Sequence, residues 1–363
     1  MNALHLRAVV LPEGEPRDVW VDAEGHVRSD PDAATRREAE TVVDVGWLLP
    51  GLVDAHCHVG LDEHGGVDEA ITEAQAVADR DTGALLLRDA GVPVDTHWVD
   101  ERPDLPRIIR AGRHIARSKR YIRNYGEEVE PEQLVAEVER QAARGDGWVK
   151  LVGDWIDRDA GDLTPCWPAD LAAAAIARAH ELGVRVTAHC FGEQSVAELV
   201  AGGIDCVEHG TGITDDVVVE MARRGTALVP TRVQLDNFPA YAAQAGPKFP
   251  TYAAHMRDLH ARCDTVLGAA VEAGVPVYAG TDAGGVLPHG LIGREVLALH
   301  EQVGMTAEAA LGAASWAARS WLARPALEEG APADLVAYDQ DPRADLRVLA
   351  HPRLVVLRGR VVA

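Results

Sequence analysis

Between residues 50 and 322 the chain alternates between two kinds of segment, and this alternation constrains the fold more than any other feature. Short apolar runs are followed by turns and, in most cases, by stretches rich in Ala, Leu, Arg and Glu that have helical period. Candidate strands lie at residues 52–59, 84–91, 107–112, 148–153, 184–190, 205–210, 227–231 and 276–284. Candidate helices lie at residues 68–79, 131–144, 169–182, 193–201, 215–224 and 252–273, while the connection at 94–106 is short. The pattern predicts parallel strands joined by helical crossovers.

The number of these units favours a closed (β/α)8 barrel. Eight strand-helix units over roughly 270 residues are close to the typical length of a TIM barrel, which is about 250 residues. An open, doubly wound α/β sheet is the alternative, but no GxGxxG phosphate-binding turn follows any candidate strand. We therefore predict a barrel over residues 50–324.

Both ends of the chain have a different character, because they consist of short strands without intervening helices. Residues 4–45 and the stretch that begins at Asp334 share a Val-rich alternation with Gly and Pro at the turns. Two such segments on either side of one α/β region suggest that the termini meet. We predict a small composite β-sandwich built from residues 1–49 and 325–363.

The charge of the chain argues against some classes of partner. Lys and Arg number 35 against 57 Asp and Glu, which gives a formal net charge of −22. Nucleic acids and anionic membranes are bound through clustered Lys and Arg, so neither is an expected partner. A small-molecule substrate is the predicted partner, and a homo-oligomer is compatible with the sequence.

Cysteine usage and apolar segments bear on where the chain works. The five cysteines are scattered and odd in number, which argues against a disulfide framework and favours a reducing compartment. The N-terminus has no basic region followed by a long apolar stretch, and no segment approaches about 18 uninterrupted apolar residues. We therefore expect a cytoplasmic protein.

The candidate strands carry metal-ligating residues at one end. In a TIM barrel the functional groups come from the C-terminal ends of the strands. The predicted metal ligands are His56, His58, Lys150, His189, His209 and Asp282. His56 and His58 are two apart and share a strand face, whereas Cys57 points away. Nitrogen and carboxylate ligands suit Zn²⁺ or another divalent ion with positions left open for water.

Lys150 is the unusual member of this set. An ammonium group beside metal cations would be repelled and costly to bury. Lys150 could therefore point elsewhere and form a salt bridge. Alternatively, its neutral amine could react with CO₂ to give a carbamate, whose two oxygens could bridge two metal ions.

Several segments of the chain resemble the amidohydrolase superfamily. The segments are LLPGLVDAHCHVG (48–60), WVKLV (148–152), TAHCFGEQSV (187–196), CVEHGT (206–211), YAGTDAG (278–284), ALEEGAPADLVAYDQDP (326–342) and VVLRGRVV (355–362). They are most similar to the imidazolonepropionase-related branch, which contains metal-dependent prolidases and other hydrolases of Xaa-amino-acid carboxamides. The resemblance implies a barrel with a composite β-sandwich and two divalent ions bridged by a carboxylated lysine.

The same resemblance implies a role for each ligand. His56, His58 and Asp282 would hold the more buried ion, His189 and His209 the more exposed one, and carboxylated Lys150 would bridge them. A metal-bridged hydroxide would be the nucleophile. Asp282 would be the catalytic base and then the acid for the leaving nitrogen. The expected reaction is hydrolysis of an amide in an Xaa-Pro, N-acyl amino acid or related carboxamide substrate. Glu208 should face away from His209, as a residue behind the ligands or towards the helices.

Substrate contacts depart from the pattern of the branch. Where members often carry a Gly-Gly-His loop after strand three, this chain reads HIARSKRYIRNYGEE (114–128), a segment rich in Arg, Lys and Tyr. Arg117, Lys119 and Arg120 belong to this basic cluster, which could bind a carboxylate or form a solvated face. The predicted substrate-binding residues are Arg232, His289, Tyr121 and Arg123. Arg232 could equally pair with an acid on a neighbouring loop.

Two other functions remain open at this level. One is a mononuclear deaminase or cyclic amide or imide hydrolase that uses His56, His58, His189 and Asp282. The other is a metal-binding scaffold without catalytic activity. Metal content and the activity of a Lys150→Ala variant would distinguish the binuclear enzyme from the mononuclear one.

Overall fold

The structure is a computed structural model that describes residues 2–363. Its strands are β1 Leu4–Val10, β2 Glu15–Val21, β3 Val27–Arg28, β4 Glu40–Val43, β5 Trp47–Pro50, β6 Leu52–Cys57, β7 Leu61–Asp62, β8 Gly65–Gly66, β9 Ala84–Asp89, β10 Arg107–Arg110, β11 Ile115–Arg117, β12 Glu127–Val129, β13 Trp148–Val152, β14 Asp154–Asp157, β15 Asp162–Pro165, β16 Arg185–Cys190, β17 Cys206–His209, β18 Ala227–Val229, β19 Leu335–Tyr338, β20 Leu354–Leu357 and β21 Arg360–Val361. Its α-helices are α1 Ala33–Glu38, α2 Glu69–Asp81, α3 Leu134–Ala142, α4 Ala169–Glu181, α5 Glu193–Ala201, α6 Asp215–Arg224, α7 Arg232–Leu235, α8 Phe238–Ala245, α9 Pro250–Glu272, α10 Ile292–Glu301, α11 Ala307–Ala313 and α12 Trp316–Trp321. Short 3₁₀-helices lie at His97–Glu101, Pro131–Gln133 and Leu346–Ala350.

The middle of the chain contains two parallel ladders whose strands alternate with helices. One ladder has the order β10-β9-β6, and the other has the order β12-β11-β13-β16-β17-β18. The strands β6, β9, β13 and β17 are buried along their whole length, as expected for parallel strands with both faces covered. Seven of the eight predicted strands and all six predicted helices are confirmed, with ends shifted by a few residues.

The eighth predicted strand, at 276–284, is wrong as a regular strand. It makes two isolated parallel bridges, Leu228 with Val277 and Cys57 with Ala283, which join it to β18 and to β6. Asp282 has a φ of 58° and interrupts the extended backbone. A Cβ on Gly280 would lie 2.7 Å from the backbone nitrogen of His56, so the segment passes too close to β6 for a side chain at that position.

The helices cover the ladders with one apolar face each. In α4 the buried residues Ala172, Ala175, Ile176 and Ala179 recur at helical spacing, which is the pattern that predicted the element. The helix α6 ends at Gly225, whose φ of 72° closes the last turn. Among residues 2–363, none of the helices combines the length and the apolar character needed to cross a membrane.

The two ends of the chain share one sheet. Its order is β21-β20-β19-β5-β1-β2-β3, with β4 paired to β1, so strands from both termini are hydrogen-bonded neighbours. The strand β19 pairs antiparallel with β5, and Leu335 lies opposite Pro50. A separate apolar core that includes Leu6, Val10 and Val356 lies in this sheet. Because β6 begins two residues after β5 ends, the sheet adjoins the N-terminal ends of the parallel strands. The β-sandwich form and the boundaries at 49/50 and 324/325 stay predictions.

Some elements had no counterpart in the sequence prediction. They include the hairpins β7-β8 and β14-β15, the strands β11 and β12, and the helices α1, α7, α8, α10, α11 and α12. The hairpin β14-β15 follows β13, and α7 and α8 follow β18. The hairpin and these two helices therefore lie at the C-terminal ends of the parallel strands, where the predicted site is.

Candidate active site

Three of the predicted ligands meet at the ends of β6 and of the irregular eighth segment. The Nε2 atoms of His56 and His58 are 3.2 Å apart. Oδ1 of Asp282 lies 2.9 Å from Nε2 of His56 and 3.1 Å from Nε2 of His58. Their ligand atoms all lie within 4.8 Å of one another, which is compatible with a metal site.

His189 and His209 form a second pair beside the first group. Nδ1 of His189 lies 3.0 Å from Nε2 of His209. The rings of His209 and His56 have centroids 5.5 Å apart, so the two groups are direct neighbours. Both histidines are buried, at 4% and 1% exposure. The structure thus brings together all five predicted ligands other than Lys150.

The orientation and protonation of the imidazole rings are compatible with a bound divalent metal ion. Nδ1 of His58 lies 2.9 Å from the carbonyl oxygen of Gly91, so it is the donor and leaves Nε2 free to bind a metal. Nδ1 of His209 lies 2.6 Å from Oγ1 of Thr231 and leaves its Nε2 facing the site. Burial lowers the pKa of His56 and His189, and it lowers the pKa of His209 to about 3. Neutral imidazoles with free nitrogens are the form that binds divalent metals.

Asp282 supplies the carboxylate of the candidate metal site. Burial alone would raise its pKa, but nearby His56 and the hydrogen bonds from His56 and His58 hold that pKa well below its usual range. Its φ of 58° turns the side chain towards the histidines. The carboxylate is therefore ionised and aimed at the same point as the two Nε2 atoms.

Lys150 and Glu208 are in direct contact inside the fold. Both side chains are buried, and Nζ of Lys150 pairs with Oε2 of Glu208. Glu208 also accepts a hydrogen bond of 2.7 Å from Oγ1 of Thr187, and its Oε1 lies 3.7 Å from Nη2 of Arg88 and 3.5 Å from Nδ1 of His56. Burial would raise the pKa of Glu208, but His56, Lys150 and Arg88 hold it below the usual value.

Of the two positions expected for Glu208, the one behind the predicted ligands is confirmed and the one towards the helices is wrong. Strand alternation would put Glu208 and His209 on opposite faces. His209, however, has a φ of 66°, which breaks the extended geometry at the end of β17. Both side chains consequently point into the interior, with Glu208 beside Lys150 and His209 beside His189.

Arg232 is held in ion pairs. Its Nη1 lies 2.7 Å from Oδ1 of Asp236 and its Nε bonds Oδ1 of Asp264. The residue is 6% exposed and is absent from the lining of the cavity above the ligands. The structure therefore places Arg232 with acidic neighbours, which is the alternative that the sequence left open for it.

We expect the Arg232→Gln variant to lose stability rather than substrate affinity. The shorter, neutral side chain would give up both charge-assisted bonds at a nearly buried position, so unfolding free energy should fall by about 1–3 kcal/mol. Urea unfolding measures this change. The KM for a carboxylate substrate should stay within about two-fold, and a KM increase above about ten-fold at unchanged stability would return Arg232 to the substrate site.

The other predicted substrate contacts are divided. Tyr121 lines the cavity, whereas Arg123 is exposed and lies outside the lining. His289 is buried, its Nδ1 lies 2.8 Å from Oδ2 of Asp79, and it ties the loop after the eighth segment to α2. Arg120 forms an ion pair with Asp157 at 2.9 Å, so part of the basic cluster is already paired within the fold.

A cavity of about 610 Å³ lies above the ligands. His58, His189 and Asp282 contribute to its lining, and the remaining wall is mostly aromatic or apolar. The aromatic lining residues are Tyr121, Tyr125, Trp155, Phe191, Tyr241, Phe249 and Tyr252. Arg158 and Lys248 also line it. A pocket of this size and composition is typical of a small-molecule site.

Sequence reasoning missed most of this wall. Trp155 and Arg158 lie in the hairpin β14-β15, and Tyr241, Lys248 and Phe249 lie in or beside α8 and α9. One signal was available, because aromatic residues make up only 5% of the chain and several of them cluster between residues 238 and 252.

His114 is a further buried neighbour of the ligands that the sequence did not single out. Its ring lies 5.0 Å from the ring of His58 and 5.4 Å from that of Tyr121. Neither ring nitrogen has a hydrogen-bond partner within residues 2–363. Burial lowers its pKa well below the usual range, so the ring is neutral.

Comparison with known proteins gives matches along the entire chain. The chain is 58% identical over 360 residues to an uncharacterized protein of Mycobacterium tuberculosis, and the match covers 98% of this chain and 95% of that protein. It is 29% identical to ochratoxinase of Aspergillus niger over 178 residues, which is 47% of this chain and 35% of that enzyme.

Solved structures share the fold. A Xaa-Pro dipeptidase with bound methionine in its active site superposes with a TM-score of 0.80 at 22% identity and covers 99% of both chains. A prolidase complexed with N-methylphosphonate-L-proline gives a TM-score of 0.82 at 21% identity, over 99% of this chain and 98% of that one. These likenesses give the chain a fold of the TIM-barrel type.

The sequence model of the Amidohydrolase family matches residues 47–362, which include all six predicted ligands and all the residues that line the cavity. The resemblance stated from the motifs is thereby confirmed. This chain belongs to the amidohydrolase family and is a hydrolase that acts on carbon–nitrogen bonds.

Proposed function

We propose that the protein hydrolyses the amide bond of a small substrate that carries a carboxylate, such as an N-acyl amino acid or an Xaa-Pro dipeptide, and that it does so with two divalent ions. One observation carries this proposal. Four buried histidines and the partly buried Asp282 come together from four separate segments, three of these five residues line an aromatic cavity, and buried Lys150 lies beside them.

The residues fit two ions, for which Zn²⁺ is the proposed metal. His56, His58 and Asp282 would hold one ion and His189 with His209 the other. Carboxylated Lys150 would contact both, and its position supports this, because its Nζ pairs with Glu208, whose Oε1 lies 3.5 Å from Nδ1 of His56. Carboxylation would join the Nζ nitrogen to CO₂, release two protons from the ammonium form and reverse the charge that opposes metal binding.

The ions, when bound, would activate water and polarise the scissile carbonyl. The chain would supply proton transfer and positioning. The Asp282 carboxylate would take a proton from the attacking water and pass it to the leaving nitrogen. The Tyr121 ring lies 5.7 Å from the ring of His189, and its hydroxyl would donate a hydrogen bond to the substrate. The aromatic wall would exclude water around the reacting bond.

The fold that holds this site is proposed to close fully. The bridges of the 276–284 segment to β18 and β6 support a closed barrel over residues 50–324. The shared sheet with its own core supports a composite domain of residues 1–49 and 325–363.

A mononuclear enzyme is the second candidate, and one contact favours it. Lys150 is ion-paired with Glu208, and an ammonium that kept this partner would not be carboxylated. The site would then work with His56, His58, His189 and Asp282 as a deaminase or a cyclic amide or imide hydrolase.

Metal content and a substrate panel distinguish these functions. We expect about two ions per chain in the active protein, complete loss of hydrolysis on chelation and recovery on adding Zn²⁺. Amino acid release from N-acyl amino acids and dipeptides measures the activity. One ion at full activity would favour the mononuclear enzyme, and no turnover of amides, lactams or N-acyl amino acids by the metal-loaded protein would favour a non-catalytic scaffold.

A further inference from the structure

The walls of the cavity are preformed around a flat apolar group. Trp155 packs edge-on against Tyr121 with ring centroids 4.8 Å apart, and it lies 5.4 Å from the ring of His189. On another side Phe191 packs against Phe238 at 4.6 Å and against His189 at 4.2 Å. These rings hold one another in place, so an aromatic group can bind beside the ligands at little cost in side-chain ordering.

Two cations line the cavity and come from separate parts of the chain. Arg158 lies in the turn between β14 and β15, and Lys248 lies just before α9. The backbone N–H of Tyr252 at the start of α9 donates to the carbonyl oxygen of Gly161 in the hairpin turn, at 3.1 Å. This bond joins the two segments and fixes the hairpin turn beside the start of α9.

Neither cation has a carboxylate partner in the described part of the protein, and both are exposed, although Nζ of Lys248 lies 5.2 Å from the ring centroid of Phe249. Within residues 2–363 no ion pair involves Arg158 or Lys248, although both line the cavity. Two of the nearby hairpin acids have other partners, because Asp157 binds Arg120 and Asp162 binds His255, while Asp159 is exposed and forms no ion pair within residues 2–363. Asp282 is the only carboxylate among the lining residues described.

This arrangement opposes the overall charge of the protein. A chain of net charge −22 repels anions at long range, so an anionic substrate requires a local positive potential at the entrance. Two unpaired cations above an aromatic wall supply that potential. A neutral substrate would leave both cations without a function in the cavity.

We infer that the site selects N-acylated amino acids with an aromatic side chain, and that Arg158 and Lys248 bind the carboxylate while the side-chain ring lies against Trp155 and Phe191. The inference rests on the proposed amide hydrolysis and specifies its substrate class. Under this inference the substrate carboxylate is bound by Arg158 and Lys248, and not by Arg232 as the sequence predicted. N-Aroyl and N-acyl derivatives of aromatic amino acids belong to this class.

Matched substrates and variants test the inference. The substrates are N-benzoyl-L-phenylalanine, its neutral carboxamide and N-benzoyl-L-alanine, and benzoate release reports the cleavage of the same bond in all three. The variants are Arg158→Gln, Lys248→Met and the double variant. Arg257→Gln is the control, because Arg257 is an exposed arginine on α9 outside the cavity lining.

The wild-type protein should prefer the phenylalanine substrate over the alanine substrate by about ten-fold or more in kcat/KM. Each single variant should lose about five-fold for the acid through KM, and the double variant about twenty-fold. The carboxamide should change by less than about two-fold, and Arg257→Gln should behave as wild type. Equal losses for the acid and the carboxamide, or no loss for either, would overturn the inference.

Calorimetric binding of N-benzoyl-L-phenylalanine to the metal-free full chain separates this inference from the proposed function. If no amide is hydrolysed but the double variant binds this probe about ten-fold more weakly than the wild-type protein does, the recognition stands and the amide hydrolysis fails. If the protein hydrolyses amides but shows no preference for the acid or for the aromatic side chain, the amide hydrolysis stands and the inferred recognition fails. Absence of both binding and hydrolysis would overturn both.

Discussion

Asp282→Asn should lower kcat for amide hydrolysis by about 10³-fold to 10⁴-fold while the protein stays folded. The amide has the same shape as the carboxylate, so the substituted side chain could still approach the Nε2 atoms that lie 2.9 Å and 3.1 Å from Oδ1 in the wild-type protein. It cannot accept the proton of the attacking water. General acid–base catalysis accounts for about 10²-fold to 10⁴-fold in rate, and the lost negative charge weakens the site for cations as well.

The control for this variant is a carboxylate near the cavity but outside its lining. Asp159 is exposed and belongs to the turn that carries Arg158, so Asp159→Asn should keep kcat within about two-fold of wild type. Circular dichroism and the metal content of both variants separate loss of chemistry from loss of fold or of ions. An Asp282→Asn protein that retains more than about a tenth of wild-type kcat would remove Asp282 from the proton-transfer role.

The placement of the proposed ligands at one edge of the sheet was predictable because it depends on local pattern. Apolar runs end in His56, His58, His189 and His209, and parallel strands of one sheet bring their C-terminal ends to one edge. The strand limits and helices followed from the same periodicity. What the pattern could not supply was the backbone geometry at the last residue of β17, where the φ of 66° at His209 brings its side chain into the same interior as that of Glu208.

The cavity wall was less predictable, since it depends on contacts between distant segments. Arg232 follows β18, and the sequence predicts that it contacts the substrate. In the structure its guanidinium group forms an ion pair with Asp264 in α9. Arg158 lies in a hairpin with no strand-helix periodicity, and its role depends on the position of α9. Long-range pairing of charges therefore decided which arginine faces the cavity, and single-sequence patterns do not report such pairing.

Lys150→Ala gives the other large effect that we expect. If the lysine is carboxylated and bridges the ions, its loss should reduce the metal content from two ions to about one and lower kcat by about 10³-fold or more. Lys119→Ala is the control, because Lys119 is exposed and lies outside the cavity lining. Metal analysis and amino acid release measure the two effects, and wild-type protein prepared without CO₂ should gain activity when bicarbonate is added with the metal.

Rescue by a small carboxylate separates the carbamate from the ion pair. In the carbamate case the truncated side chain leaves a space beside the ligands that acetate or propionate can fill, and millimolar amounts should raise activity by about ten-fold or more. In the ion-pair case the ammonium of Lys150 balances the charge of Glu208. Truncation of Lys150 then leaves the buried Glu208 carboxylate with Arg88, 3.7 Å away, as its remaining cationic neighbour. We expect the free energy of unfolding to fall by about 3–5 kcal/mol. An added carboxylate would then meet the charge of Glu208 and should not rescue. An active Lys150→Ala protein with one ion would exclude the carbamate and establish the mononuclear site.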